Sequence, residues 1–150
     1  MRVVIQRVKK ASVSIENSIT ASIGNGMLVL VGIEENDSQE DAFWLAQKII
    51  AMRIFSDPEG KMNLDISQAG GDLLLVSQFT LHAQTKKGNR PSFIRAARPE
   101  IAIPLYSYFI EQLHTQMGKP IHTGTFGAMM DVELINDGPV TIWMDTASKE

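Results

Sequence analysis

Residues 27–33, Met-Leu-Val-Leu-Val-Gly-Ile, carry no polar side chain. A strand with one wet face alternates apolar and polar residues, so an unbroken apolar run of this length reads as a strand covered on both faces. The chain around it has to supply that cover. Residues 2–8 alternate, Val3, Ile5 and Arg7 against Arg2, Val4, Gln6 and Val8, as in a first strand. Residues 11–15 and 19–23 predict a hairpin around Glu16-Asn17-Ser18, and Gly24-Asn25-Gly26 marks the next turn. Asp37 or Ser38 is placed to cap a helix, with Glu40 or Asp41 three residues on to complete a capping box. Ala42, Leu45, Ala46, Ile49 and Ile50 then recur at helical spacing to about Arg53.

Ile54-Phe55 starts another extended piece, broken by a turn at 56–60, and Gly70-Gly71 leads into the strongest strand of the chain, 72–81. A polar loop at 82–98 precedes a second helix over 103–117, carried by Leu105, Tyr108, Phe109 and Leu113. Pro104 fits in its first turn, because a proline deeper inside removes a hydrogen bond and clashes with the preceding turn. Strands at 121–126, 131–135 and 140–144 complete the pattern. Many strands in succession with two main helices predict an α+β fold with mainly antiparallel sheets. With no repeat, low-complexity tract or linker, the expectation is one domain over 1–150.

The chain has no cysteine, which removes disulfides, thiolate catalysis and cysteine-ligated metals together and fits a reducing compartment. The opening MRVVIQRVKK is too short an apolar run for a signal peptide, and no later run has the length to span a bilayer, so a cytoplasmic protein without membrane contact is expected. A net charge of -3 argues against a general DNA or RNA binder, though not against a protein that touches one end of an RNA. The basic residues are uneven: Lys86, Lys87, Arg90, Arg95 and Arg98 crowd one stretch, which from charge alone reads as a solvated loop.

His82, His114 and His122 sit in no metal-ligand spacing, and there is no G-x-S-x-G elbow, so neither a metal site nor a serine–histidine triad is supported. His114 reads as a surface residue; His82 follows the strongest strand and could approach a site, although a loop histidine is more often simply solvated. Two short polar segments remain. Along 72–81, period-two alternation sets Leu73, Leu75, Ser77 and Phe79 against Leu74, Val76, Gln78 and Thr80. A leucine–valine strand that turns polar at its end needs a reason, because buried polar groups cost free energy unless paired. Either Ser77, Gln78 and Thr80 bond to nearby backbone as the strand leaves the core, or the strand end opens into a pocket and offers hydroxyls, an amide and free N–H groups. Asn136-Asp137-Gly138-Pro139-Val140-Thr141 reads as a turn between two strands. A cis Gly138–Pro139 bond would fix two carbonyl oxygens in an unusual direction, and the sequence leaves the isomer open.

Taken together, these segments resemble the D-aminoacyl-tRNA deacylases nearly end to end. The matching residues are Gln6-Arg7-Val8, 53–57, 60–64, 68–71, Ser77-Gln78-Phe79-Thr80-Leu81, Arg90-Pro91-Ser92-Phe93, Gly124-x-Phe126-x-Ala128-x-Met130 and 136–141. The resemblance implies a barrel-like core, a homodimer with its sites at the interface, and hydrolysis of the ester joining a D-amino acid to the 3′-terminal adenosine of tRNA, with no cofactor or metal. It implies that Ser77, Gln78, Phe79 and Thr80 serve the reacting ester. The chemistry stays open between two schemes: backbone N–H groups of Phe79 and Thr80 as oxyanion donors with water attack assisted by the ribose 2′-hydroxyl, or the Thr80 hydroxyl as nucleophile, for which no adjacent base is evident. Asn136, Gly138 and Pro139 would form a Gly-cis-Pro gate entering the partner's site, rejecting L-aminoacyl-tRNA while letting glycine pass. Phe126, Ala128 and Met130 would line the adenosine pocket, although alternating apolar residues at a strand end are also ordinary core. For the basic stretch, the resemblance offers acceptor-stem phosphates. Rival readings are an L-amino-acid editing domain, normally part of a synthetase, and a non-catalytic module that binds the aminoacyl-tRNA end.

Overall fold

The structure is a computed structural model and describes residues 1–149. In chain order its elements are strands β1 (Arg2–Ile15), β2 (Ser18–Ile23) and β3 (Gly26–Gly32), helix α1 (Gln39–Ala51), strands β4 (Phe55–Ser56), β5 (Met62–Leu64) and β6 (Asp72–Ser77), a 3-10 turn (Phe79–His82), helix α2 (Pro99–Met117), and strands β7 (His122–Thr123) and β8 (Asp131–Asp145). β1 through Ile15 is one long strand rather than two pieces. It turns into β2 through Glu16 and Asn17, both at positive φ (50° and 62°), the conformation a two-residue hairpin turn requires.

The main sheet runs β2-β1-β3-β6-β7, and β8 pairs along the other edge of β1. Pairing is antiparallel for β1 with β2, β3 and β8, and parallel for β3 with β6 and β6 with β7. β2 folds back against β6 and β7, so the sheet curls into a nearly closed barrel. The apolar run lies at its centre, and the two faces of β3 and β6 feed two cores. Met27, Val29, Val31, Leu73 and Leu75 meet the helices, while Leu28, Leu74 and Val76 meet Val8, Ala11, Val13 and Ile23 inside the curl.

α1 begins as its sequence requires: Ser38 accepts from the Asp41 N–H, and Asp41 accepts from the Ser38 N–H, closing the capping box. α2 starts four residues earlier than the spacing predicts. Pro99 takes the first helical position, so Pro104 lies in the helix interior, exposed, where it leaves the Glu100 carbonyl without its usual donor and open to water. The strand predicted over 121–126 shrinks to His122–Thr123, which pair Leu74 and Leu75 at the sheet edge. No helix among the described residues is long and apolar enough to cross a membrane.

Candidate functional site: a pocket at the end of β6

β6 ends at Ser77, earlier than alternation predicts, because its partner ends too. The last parallel rung is Val31 with Ser77, the Gln78 N–H donates to the Val31 carbonyl at 2.7 Å, and β3 stops at Gly32. With nothing left to pair, residues 79–82 coil, held by Leu81 N–H to Gln78 O at 3.2 Å. The first two N–H groups of this turn, on Phe79 and Thr80, have no partner within it. Gln78 Nε2 donates to Thr80 Oγ1 at 2.5 Å, so the threonine hydroxyl accepts from an amide, and no base among the described residues accepts its proton.

Against this strand end opens a cavity of about 320 Å³. Ser77, Gln78 and Phe79 form one side, Phe126, Ala128 and Met130 another, and Val31, Ala97, Ala102 and Tyr106 are among the other lining residues. It is apolar apart from Ser77, Gln78 and the Tyr106 hydroxyl, which donates to the Leu75 carbonyl at 3.4 Å. Burial raises the Tyr106 phenol to about 12, so it stays protonated at neutral pH. Phe126 stands tilted against Tyr106, ring centroids 5.6 Å apart. The Ala97, Ala102 and Tyr106 wall went unnoticed in the sequence. Its one signal is two alanines beside the bulky face of α2. Among the described residues no three His, Asp or Glu side chains gather closely enough to hold a metal ion.

His82 is not a solvated loop residue. The 3-10 turn folds it back onto Gly32, where a Cβ would stand 3.0 Å from the His82 ring, and it is fully buried with Nδ1 3.5 Å from Glu34 Oε2. His114 is exposed on α2.

The second segment is not a turn between strands. β8 is continuous, and Asn136 to Thr141 is an excursion within it. Between the pairs Gln6–Thr141 and Val8–Asn136, β1 advances two residues and β8 five, so three extra residues bulge from the sheet. The one β1 residue opposite them is Arg7. Its Nε reaches the Asp137 carbonyl at 3.2 Å and the Asp137 carboxylate at 3.1 Å, and its Nη1 donates to the Ile54 carbonyl at 2.6 Å. Asn136 braces the far side, its amide oxygen accepting from the Val140 N–H at 3.1 Å and its nitrogen donating to Thr141 Oγ1 at 2.9 Å.

At the crest, the Gly138–Pro139 bond is cis and both residues are exposed. Gly138 is obligatory there: its φ is +125°, and a Cβ would stand 2.9 Å from both Arg7 Nη2 and Val140 Cγ2. The structure therefore gathers Ser77, Gln78, Phe79, Phe126, Ala128 and Met130 at one cavity, with Thr80 on the adjoining turn. Asn136, Gly138 and Pro139 do not line that cavity.

The sequence model of D-Tyr-tRNA(Tyr) deacylases matches residues 4–145. A protein of Bacteroides thetaiotaomicron named D-aminoacyl-tRNA deacylase is 62% identical over 150 residues, covering 100% of both chains. Among solved structures, one titled c-Myc DNA Unwinding Element Binding Protein superposes with a TM-score of 0.92 at 39% identity, over 97% of this chain and 98% of that one. Another, titled as a probable eukaryotic D-amino acid tRNA deacylase, gives a TM-score of 0.80 at 19% identity over 95% and 97%, a likeness of fold.

Proposed function

Because the chain belongs to the D-Tyr-tRNA(Tyr) deacylase family and is a hydrolase of that kind, we propose that it cleaves the ester between a D-amino acid and the 3′-terminal adenosine of tRNA in the pocket at the end of β6. The observation that carries this reading is the pair of unpartnered N–H groups on Phe79 and Thr80 beside an otherwise apolar cavity.

An aminoacyl ester is already activated, so the enzyme has mainly to stabilise the oxyanion and place a nucleophile. Water adds to the carbonyl carbon, the carbonyl oxygen takes the negative charge, and the Phe79 and Thr80 N–H groups donate to it. Collapse of the intermediate expels the ribose 3′-oxygen, which takes up the proton given by the water, and the adjacent 2′-hydroxyl relays that proton. One preorganised donor of this kind lowers the barrier by about 3–4 kcal/mol. The Thr80 hydroxyl is not the nucleophile in this scheme, since activation needs an adjacent base and its hydrogen bond comes from the Gln78 amide. Thr80 and Gln78 position, Ser77 lines the pocket floor, and Phe126, Ala128 and Met130 take the terminal adenine against Phe126.

Chirality is assigned to the excursion. Asn136 holds its shape, and Gly138 and Pro139 receive the substrate's amino group and leave no space for an L side chain. Glycine has no side chain to reject, so glycyl-tRNA is a second substrate. Gly138 and Pro139 are exposed and lie outside their own chain's cavity, which favours a homodimer in which each copy lends this element to the other's pocket. As an enzyme of aminoacyl-tRNA, the protein is placed in the cytoplasm. A module that merely binds the RNA end is the weaker alternative, because it has no use for oxyanion donors.

The test is incubation of the pure protein with D-tyrosyl-, L-tyrosyl- and glycyl-tRNA, following amino-acid release. Release from the D- and glycyl forms alone is expected. Equal rates on the L-form would refute the gate, and no release would favour the binding module. Thr80→Val separates the two chemistries: abolished turnover with binding and fold intact would overturn the backbone-donor scheme.

A further inference from the structure

Residues 73–99 contain no Asp or Glu, yet they hold five of the chain's 14 basic residues, in a protein of net charge -3. The structure divides those five, and Arg98 stands apart from the loop's tip as the residue capping α2. Arg95 is tied to Glu34 at 2.8 Å, the Ala97 N–H donates to the Ile33 carbonyl at 2.9 Å, and Ala96 bridges Glu34, so the base of the loop is pinned beside the pocket wall. Higher up, Gln84 and Ser92 exchange two backbone hydrogen bonds of 2.8 and 3.0 Å and close a hairpin-like tip. Lys86, Lys87 and Arg90 stand exposed on that tip, and none has an ion-pair partner among the described residues.

Beneath the tip lies an open hollow of about 680 Å³, lined by Gln84, Thr85, Lys86, Lys87 and Ser92. An aromatic edge joins the hollow to the pocket. Phe93, next to Ser92, packs edge-on against Phe79, ring centroids 5.2 Å apart at 79°, and Phe79 lines the pocket while remaining 56% exposed. Thr80 and Lys86 are six residues apart, so they are separated by no more than about 20 Å.

A row of unpaired cations beside exposed aromatic rings is the arrangement that takes a single nucleic-acid strand, its phosphates on the cations and its bases on the rings. We propose that the 83–98 loop seats the single-stranded 3′ tail of the RNA, the nucleotides that precede the terminal adenosine. Lys86, Lys87 and Arg90 bind its phosphates, Phe93 stacks a base, and Arg95 is a structural tie that contacts no RNA. This inference rests on the reading of the substrate as a tRNA ester, which supplies the direction of the chain entering the pocket.

The experiment is fluorescence anisotropy of labelled, uncharged tRNA with the full-length protein over a range of salt concentrations, which requires no hydrolysis. Each phosphate contact on a single strand contributes about -0.7 to the slope of log affinity against log salt, so three contacts give about -2. Lys86→Ala/Lys87→Ala lowers that slope by about 1.4, which at 0.15 M salt weakens binding about 14-fold. Phe93→Ala weakens binding roughly five- to 150-fold and leaves the slope alone, because stacking releases no counterions. Lys48→Ala/Lys61→Ala, on the last turn of α1 and the β4–β5 turn, changes net charge equally and leaves both affinity and slope in place. An unchanged slope in the Lys86/Lys87 variant, or an equal loss in the Lys48/Lys61 control, overturns the proposal. Normal binding without hydrolysis of D-aminoacyl-tRNA would instead count against the proposed activity alone.

Discussion

Replacing Arg7 by methionine keeps an unbranched apolar stem of similar length and removes the guanidinium that holds the 136–141 excursion to the rest of the fold. Three interactions disappear: with the Ile54 carbonyl at 2.6 Å, the Asp137 carbonyl at 3.2 Å and the Asp137 carboxylate at 3.1 Å. The Ile54 contact is buried, so its carbonyl is left unpaired at a cost of about 1–3 kcal/mol. The Asp137 side chain is 36% exposed, and water screens that pair to about 0.5–1 kcal/mol. The sum is about 1.5–4 kcal/mol, or roughly 3–16 °C in Tm for a chain of this size. Urea unfolding reads the free energy, with an unchanged m-value showing that the denatured state is not what moved. Arg7→Lys, a point charge without the fork, falls between the two. If the excursion is the proposed chiral gate, loosening it drops the ratio of kcat/KM for D- over L-aminoacyl-tRNA at least about tenfold, equivalent to about 1.4 kcal/mol of discrimination. A stability cost under about 1 kcal/mol, or a full cost with selectivity untouched, would refute the buttress.

Gly26→Ala places a Cβ 1.8 Å from the Asp72 carbonyl oxygen; β3 and β6 must part at their first rung, and a loss of about 3 kcal/mol or more is expected by urea titration. Pro104→Ala returns a donor to the Glu100 carbonyl in the middle of α2 and raises Tm by about 2–4 °C; a fall in Tm would show that the ring supports the fold. For Asp145, burial pushes the carboxyl up, but hydrogen bonds from the Arg2 side chain and Ala147 N–H, with the charges of Arg2 and the amino terminus, carry it below its ordinary value. A carboxyl lowered in the folded state stabilises above its unfolded pKa of about 3.9 and loses that contribution as pH falls through the folded value. Asp145→Asn is therefore less stable than the parent at pH 6, and the two unfolding curves converge below about pH 4.

What was legible in the sequence is what neighbouring residues decide among themselves. Ser38 and Asp41 sit three apart and close a capping box wherever the helix lands, and residues 27–33 demand cover on both faces regardless of what covers them. The misread segments depend on residues far along the chain. Alternation runs unbroken from Leu73 to Thr80, and only the end of β3 at Gly32 makes it stop at Ser77. Asn-Asp-Gly-Pro has the same local chemistry in a turn as in a bulge. Its pairing with Gln6 and Val8, some 130 residues away, decides between them. His82 is buried because Gly32 has no side chain in its way. Pro104 was placed by a rule that Pro99 already satisfies.

In the proposed reaction the polar work falls on backbone groups whose positions are set by strand pairing: two N–H groups on the turn that begins where β6 stops pairing with β3, and a crest lifted because β8 carries three more residues than β1 between two pairs. Side chains around them act one step removed, Gln78 on Thr80, Asn136 on Val140, Arg7 on Asp137. Substitutions that keep the backbone path, such as Ser77→Ala, should then cost little. Those that alter strand length or register, at Gly26, Gly32 or Gly138, should cost much, although none carries a side chain for chemistry. A site of this kind is recognised from where its strands stop pairing, which explains why a search of the sequence for bases, nucleophiles and metal ligands passes over it.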